Sequence, residues 1–132
     1  MWYVPSAGNY MAQFLRDAGT TYAWGRTKSD QASLALAFEA VAPVALSADY
    51  WLQTGTATSQ AEIAAQDARY ATFAPFQNNR VYNYNRRTNA QGSNDYWESG
   101  AVQPDLVLSD LIRILHPELL PQWQLYYYQQ LK

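Results

Sequence analysis

Asn78-Asn79-Arg80-Val81-Tyr82-Asn83-Tyr84-Asn85-Arg86-Arg87, residues 78–87, decides how the chain is read. The paired asparagines before Arg80 are turn residues, because a short amide side chain tolerates tight backbone conformations. Val81 to Tyr84 holds a β-branched residue and two tyrosines and has strand length. Asn85, Arg86 and Arg87 then leave as a polar loop. A strand that empties into amides and arginines carries its chemistry at its carboxyl end. In an open α/β sheet that is the end where ligands bind.

Outward from this strand, helical and strand-like patterns alternate. Residues 2–4 (Trp2, Tyr3, Val4) read as a strand stopped by Pro5, and residues 10–18 as a helix closed by Gly19. Residues 21–24 form a second predicted strand ending at Gly25. Residues 27–33 form a polar loop, and residues 36–45 a helix with Pro43 opening a broken second piece. Residues 49–52 read as a strand. Residues 59–66 read as a helix, with Ser59 and Glu62 spaced as a capping box. Residues 71–77 and 95–99 are further helical turns. Pro104 suits the first position of a helix ending near Leu115, and residues 121–131 read as one more helix. The short strands lack strict alternation, which predicts a mostly parallel sheet covered on both faces. The predicted class is α/β, a single domain over residues 1–132. A run that enters a strand almost at Met1 suggests a piece of a longer protein.

Composition bounds the function. The 132 residues include 9 Lys+Arg and 11 Asp+Glu, for a net charge of −2, and 48% are hydrophobic. Without a basic stripe there is no electrostatic footprint for nucleic acid. No window of eighteen residues is apolar throughout, and no charged segment followed by an apolar run stands at the start. With no cysteine there is no disulfide and no thiolate chemistry. Aromatics reach 15%, more rings than a core of this size hides, so some are expected at a groove or an interface.

A catalytic centre is hard to assemble. His116 is the only histidine and sits at a predicted helix end, where it suits the carbonyl charge as a cap. Neither a nucleophile elbow nor a phosphate-binding glycine loop is present, so no cofactor and no metal centre are expected. Asp95 and Glu98 can share a helical face. Two carboxylates beside surface aromatics leave a carbohydrate-binding or glycoside-processing domain as the alternative function. The stronger signals are binding signals. Arg86 and Arg87 can grip carboxylates in forked geometry. Tyr84, Asn85 and Tyr96 add flat apolar contact and amide bonding, and Trp24 with Arg26 repeats the theme at the second predicted strand exit. Thr54 and Thr56 follow the third. Trp97 suits core or groove, and Trp51 suits the core. Tyr126-Tyr127-Tyr128 beside Trp123 predicts a docked terminal helix, with a dimer contact as the other possibility.

The order and spacing of several stretches resemble a known family. They are Trp2-Tyr3-Val4-Pro5, Leu36-Ala37-Phe38-Glu39-Ala40-Val41, Ala48-Asp49-Tyr50-Trp51-Leu52 and Arg80-Val81-Tyr82-Asn83-Tyr84-Asn85-Arg86-Arg87. With them go Asn94-Asp95-Tyr96-Trp97-Glu98-Ser99-Gly100, Pro104-Asp105-Leu106-Val107-Leu108 and His116-Pro117-Glu118-Leu119-Leu120-Pro121. Together they resemble the carboxy-terminal lobe of ABC-transporter substrate-binding proteins of the iron-siderophore, haem and vitamin B12 class. The resemblance implies a three-layer α/β/α sandwich, a Rossmann-like lobe paired with a missing amino-terminal lobe. It implies a metal chelate or macrocycle held between the lobes, delivery to a membrane permease, no catalysis, and a periplasmic or lipid-anchored parent. Carried over residue by residue, the ligand-facing loops hold Trp24 and Arg26, Thr54 and Thr56, and Asn85 to Arg87. The family's permease-docking glutamate has no counterpart in Ser6-Ala7-Gly8-Asn9-Tyr10.

Overall fold

A computed structural model describes residues 2–27 and 29–132. Met1 and Lys28, read as part of the first strand run and of the polar loop, lie outside the described residues. β1 (Trp2–Pro5) leads through a turn into α1 (Tyr10–Asp17). Asn9 caps α1, its side chain accepting from the Met11 amide at 2.8 Å, the contact that an extended residue before a helix makes. β2 (Ser33–Leu36) returns antiparallel along β1, pairing Trp2 with Leu36 and Pro5 with Ser33. α2 (Phe38–Ala45) follows, then β3 (Trp51–Leu52), α3 (Gln60–Gln66), a 3-10 turn (Ala68–Thr72) and α4 (Ala74–Gln77). β4 (Val81–Asn83) runs parallel to β3. α5 (Asp95–Glu98) and α6 (Pro104–Leu115) precede β5 (Gln129–Gln130), which pairs antiparallel with β4.

The chain is thus mixed α/β, with a two-stranded sheet and a three-stranded sheet of order β3-β4-β5. One pairing is parallel and two are antiparallel, so the expected mostly parallel sheet is not formed by these strands. Trp2 stacks on Trp51 at 5.4 Å between ring centroids, and its indole N–H donates to the Tyr70 hydroxyl at 3.1 Å. Among the described residues, side chains therefore join the two sheets where backbone bonds do not.

Three local expectations are corrected. Residues 21–24 are not a strand. Gly25 N–H donates to the Tyr22 carbonyl and Thr27 N–H to the Trp24 carbonyl, which folds them into tight turns. The Tyr22 hydroxyl donates to the Pro5 carbonyl at 2.7 Å, so the aromatic residues there anchor a loop, and β1 finds its partner in Ser33–Leu36. Consequently the predicted helix from residue 36 begins at Phe38, and Pro43 lies inside it instead of opening a second piece.

The tail is not a helix either. Asp110 on α6 is fully buried and accepts four hydrogen bonds, from Trp123 Nε1 (2.8 Å) and the amides of Tyr126 (2.9 Å), Tyr127 (2.7 Å) and Tyr128 (3.0 Å). A carboxylate that satisfies three consecutive amides holds that backbone off the helix and leads it into β5. The rings of Tyr127 and Tyr128 then fill the core beside Met11, Leu15, Val107, Leu111 and Ile114. His116 is the C-cap of α6, as its position suggested, and its Nε2 lies 3.2 Å from the Gly19 carbonyl at the end of α1.

Candidate functional site

Asn83 organises the carboxyl ends of β3 and β4. Its side chain points inward with that of Val81, two residues earlier on the same face. A fully buried amide must find partners, and Asn83 finds four. Oδ1 accepts from Thr54 N–H (3.1 Å) and Tyr84 N–H (3.0 Å), while Nδ2 donates to the carbonyls of Gly55 (2.9 Å) and Ala57 (3.1 Å). Asn85 Nδ2 donates to the same Ala57 carbonyl at 3.0 Å, and its Oδ1 accepts from Gln129 Nε2 at 2.8 Å. The loop after β3 is thereby tied to the loop after β4 and to β5.

Gln53 joins α1 to this rim. It leaves β3 with φ of +63°, a left-handed conformation that a non-glycine residue holds only when its surroundings fix it. Its Nε2 lies 3.2 Å from both the Tyr128 hydroxyl and Met11 Sδ. Among the described residues the buried Thr54 hydroxyl has no hydrogen-bond partner, and Thr56 is exposed.

The loop from Tyr84 onward is built by amides. Asn94 Nδ2 donates to the Tyr84 carbonyl (2.9 Å) and its Oδ1 accepts from Tyr96 N–H (3.0 Å), which starts α5. Tyr84 packs on Tyr96 at 4.8 Å and edge-on to Trp97 at 5.4 Å. Burial pushes the Tyr84 phenol upward, and the Tyr96 phenol far upward, with Tyr128 and Tyr10 adding to the latter. Arg87 lies over the Tyr126 ring at 3.4 Å and donates from Nε to the Tyr126 carbonyl at 3.0 Å. Arg86 is exposed, and among the described residues its guanidinium has no ion pair.

The sequence-derived candidates therefore fall into two places. Thr54, Thr56, Tyr84, Asn85, Arg86 and Arg87 sit on loops tied together through Asn83 and Asn85, whereas Tyr96 is buried in the core and packs on Tyr84. Trp24 and Arg26 sit on the turns after α1, held to the β1 exit by Tyr22 and by the Ala7 N–H bond to the Thr27 carbonyl. Among the described residues no hydrogen bond or ring contact links Trp24 or Arg26 to the Thr54–Tyr84 rim. Asp95 accepts from the Ser99 hydroxyl at 2.8 Å, and Ser99 Oγ lies 2.7 Å from the Tyr127 hydroxyl, while Glu98 is exposed. Sequence reasoning missed Asn83, Gln53 and Tyr10. For Asn83 the signal was available, since an amide two residues from Val81 on one face of a buried strand has to be satisfied inside.

No family model matches the chain, and no solved structure matches it. An uncharacterized lipoprotein of Methanocaldococcus jannaschii is 28% identical over 117 residues. That alignment covers 88% of this chain and 26% of the lipoprotein, so the chain spans about a quarter of that relative's length.

Proposed function

We propose that the chain is the ligand-contacting lobe of an extracytoplasmic solute-binding protein of an ABC importer, with an iron chelate, haem or a cobalamin-like macrocycle as cargo. The observation that carries the reading is the rim. The loops after β3 and β4 are tied together by Asn83 and Asn85, and Gln53 bonds back to Met11 of the helix that follows β1. Loops at strand carboxyl ends are where open α/β sheets take ligands. On this reading the two sheets, joined through Trp2 and Trp51, are parts of one central layer of a three-layer lobe. Similarity to a lipoprotein supports a location at an extracytoplasmic membrane surface.

Arg86 is the cation that meets anionic groups of the cargo. Arg87 contributes the face of its guanidinium not stacked on Tyr126, and Tyr84, packed on the buried Tyr96, supplies the aromatic contact. The permease and an amino-terminal lobe are the partners, and no chemistry is performed on the cargo. Titrating the chain with haemin, cyanocobalamin and a ferric catecholate by absorbance tests this. One of the three binds saturably, and Arg86→Ala weakens it about tenfold or more, the scale of a lost charge-assisted hydrogen bond. Absence of saturable binding by all three, or unchanged affinity in both Arg86→Ala and Arg87→Ala, overturns the reading.

A further inference from the structure

Between α1 and the corner where α5 meets α6 lies a trough of about 580 Å³. That is the size of sites that take small organic molecules. Phe14 of α1 and Val107 of α6 line it, and Tyr10 and Trp97 flank it with rings that are 54% and 58% exposed. Tyr10, Phe14 and Asp17 follow one another at helical spacing along a single face of α1. Among the described residues, Asp17 is the only charged one lining the trough.

Its carboxylate accepts from Gln13 Nε2 at 2.8 Å, and among the described residues it forms no ion pair. The adjacent cation on α1, Arg16, donates to the Ala7 carbonyl at 3.3 Å and to Gln13 Oε1 at 2.8 Å. The trough therefore joins exposed π-faces to a carboxylate without a cationic partner. Both features attract the same chemistry, an organic ammonium ion with an apolar ring or chain. We propose that the trough binds small organic ammonium ions, the apolar part lying against Phe14 and Trp97 and the ammonium turned toward Asp17. Tyr96 borders the trough from the core, but among the described residues neither Arg86 nor Arg87 lines it, so the site does not depend on the transport reading.

Calorimetric titration of the chain with benzyltrimethylammonium, benzyl alcohol and phenylacetate tests this. The cation binds at one site, and the alcohol and the carboxylate bind at least about tenfold more weakly. Asp17→Asn, an isosteric change at an exposed position, removes that preference and leaves the alcohol's affinity unchanged. Trp97→Ala weakens the cation, and Arg86→Ala does not, which separates this site from the cargo rim. The proposal fails if the cation gives no saturable heat at millimolar concentration. It fails equally if all three probes bind alike or if Asp17→Asn leaves the preference intact.

Discussion

Asp110 shows how one side chain redirects a segment. Four donors converge on a carboxylate that has no contact with water. Replacing it with Asn turns an N–H₂ group toward backbone donors, and Ala leaves three amides buried and unpaired. Asp110→Ala should cost about 3 kcal/mol or more, and Asp110→Asn somewhat less, read as a lowered urea midpoint. An unchanged midpoint would show that the tail is held by its rings alone. The buried phenols give a second residue-scale expectation. Burial holds Tyr96 and Tyr128 protonated well above the usual range, and neighbouring phenols and Asp110 oppose ionisation further. In the unfolded chain they titrate near about pH 10. Their contribution is fully present below that value. It is lost as pH rises through the native pKa values, by about 1.4 kcal/mol per pH unit for each phenol. Urea unfolding at neutral pH and again above about pH 10.5 checks the sign, and Tyr128→Phe should flatten part of the fall.

At the scale of elements, local signals were legible where local chemistry decides. Gly19 closes α1, Ser59 caps α3 through Glu62 N–H, and Pro104 opens α6. Signals failed where a distant partner decides. The aromatic run at residues 21–24 looked like a strand, yet the Tyr22 hydroxyl finds the Pro5 carbonyl and the run becomes turns. The tail looked helical until Asp110, far back in sequence, claims its amides. Ser33–Leu36 carries a weak alternation that matters only because β1 lies beside it. Pro43 is different: α2 tolerates it at an exposed position without using it. Pro43→Ala restores a helical N–H and removes the clash with the preceding turn, and should raise stability by about 1 to 2 kcal/mol in thermal melts. A loss of stability would mean that the proline shapes the loop after α2.

For the whole molecule, the rim was legible as a set of loops but not as a construction. Arginines, threonines and tyrosines at strand exits marked candidates. Asn83, which ties the loops together, was hidden as one polar residue in a strand. Asn83→Ala removes four hydrogen bonds at once and should loosen residues 53–58 and 84–87 together. Amide hydrogen exchange would register this as faster exchange in both loops, with α6 still protected. Exchange confined to one loop would mean that they are held separately. On the proposed reading the chain is one wall of a cleft and buries little of its ligand by itself, so it should bind cargo weakly, where mapping is more informative than an affinity. The most direct test is an amide chemical-shift map of the chain titrated with haemin and with cyanocobalamin. The cargo-rim assignment requires that shifts for at least one of them concentrate at Thr54, Thr56 and Tyr84 to Arg87 and are lost in Arg86→Ala. No shifts up to millimolar ligand, or shifts scattered away from that rim, would contradict it.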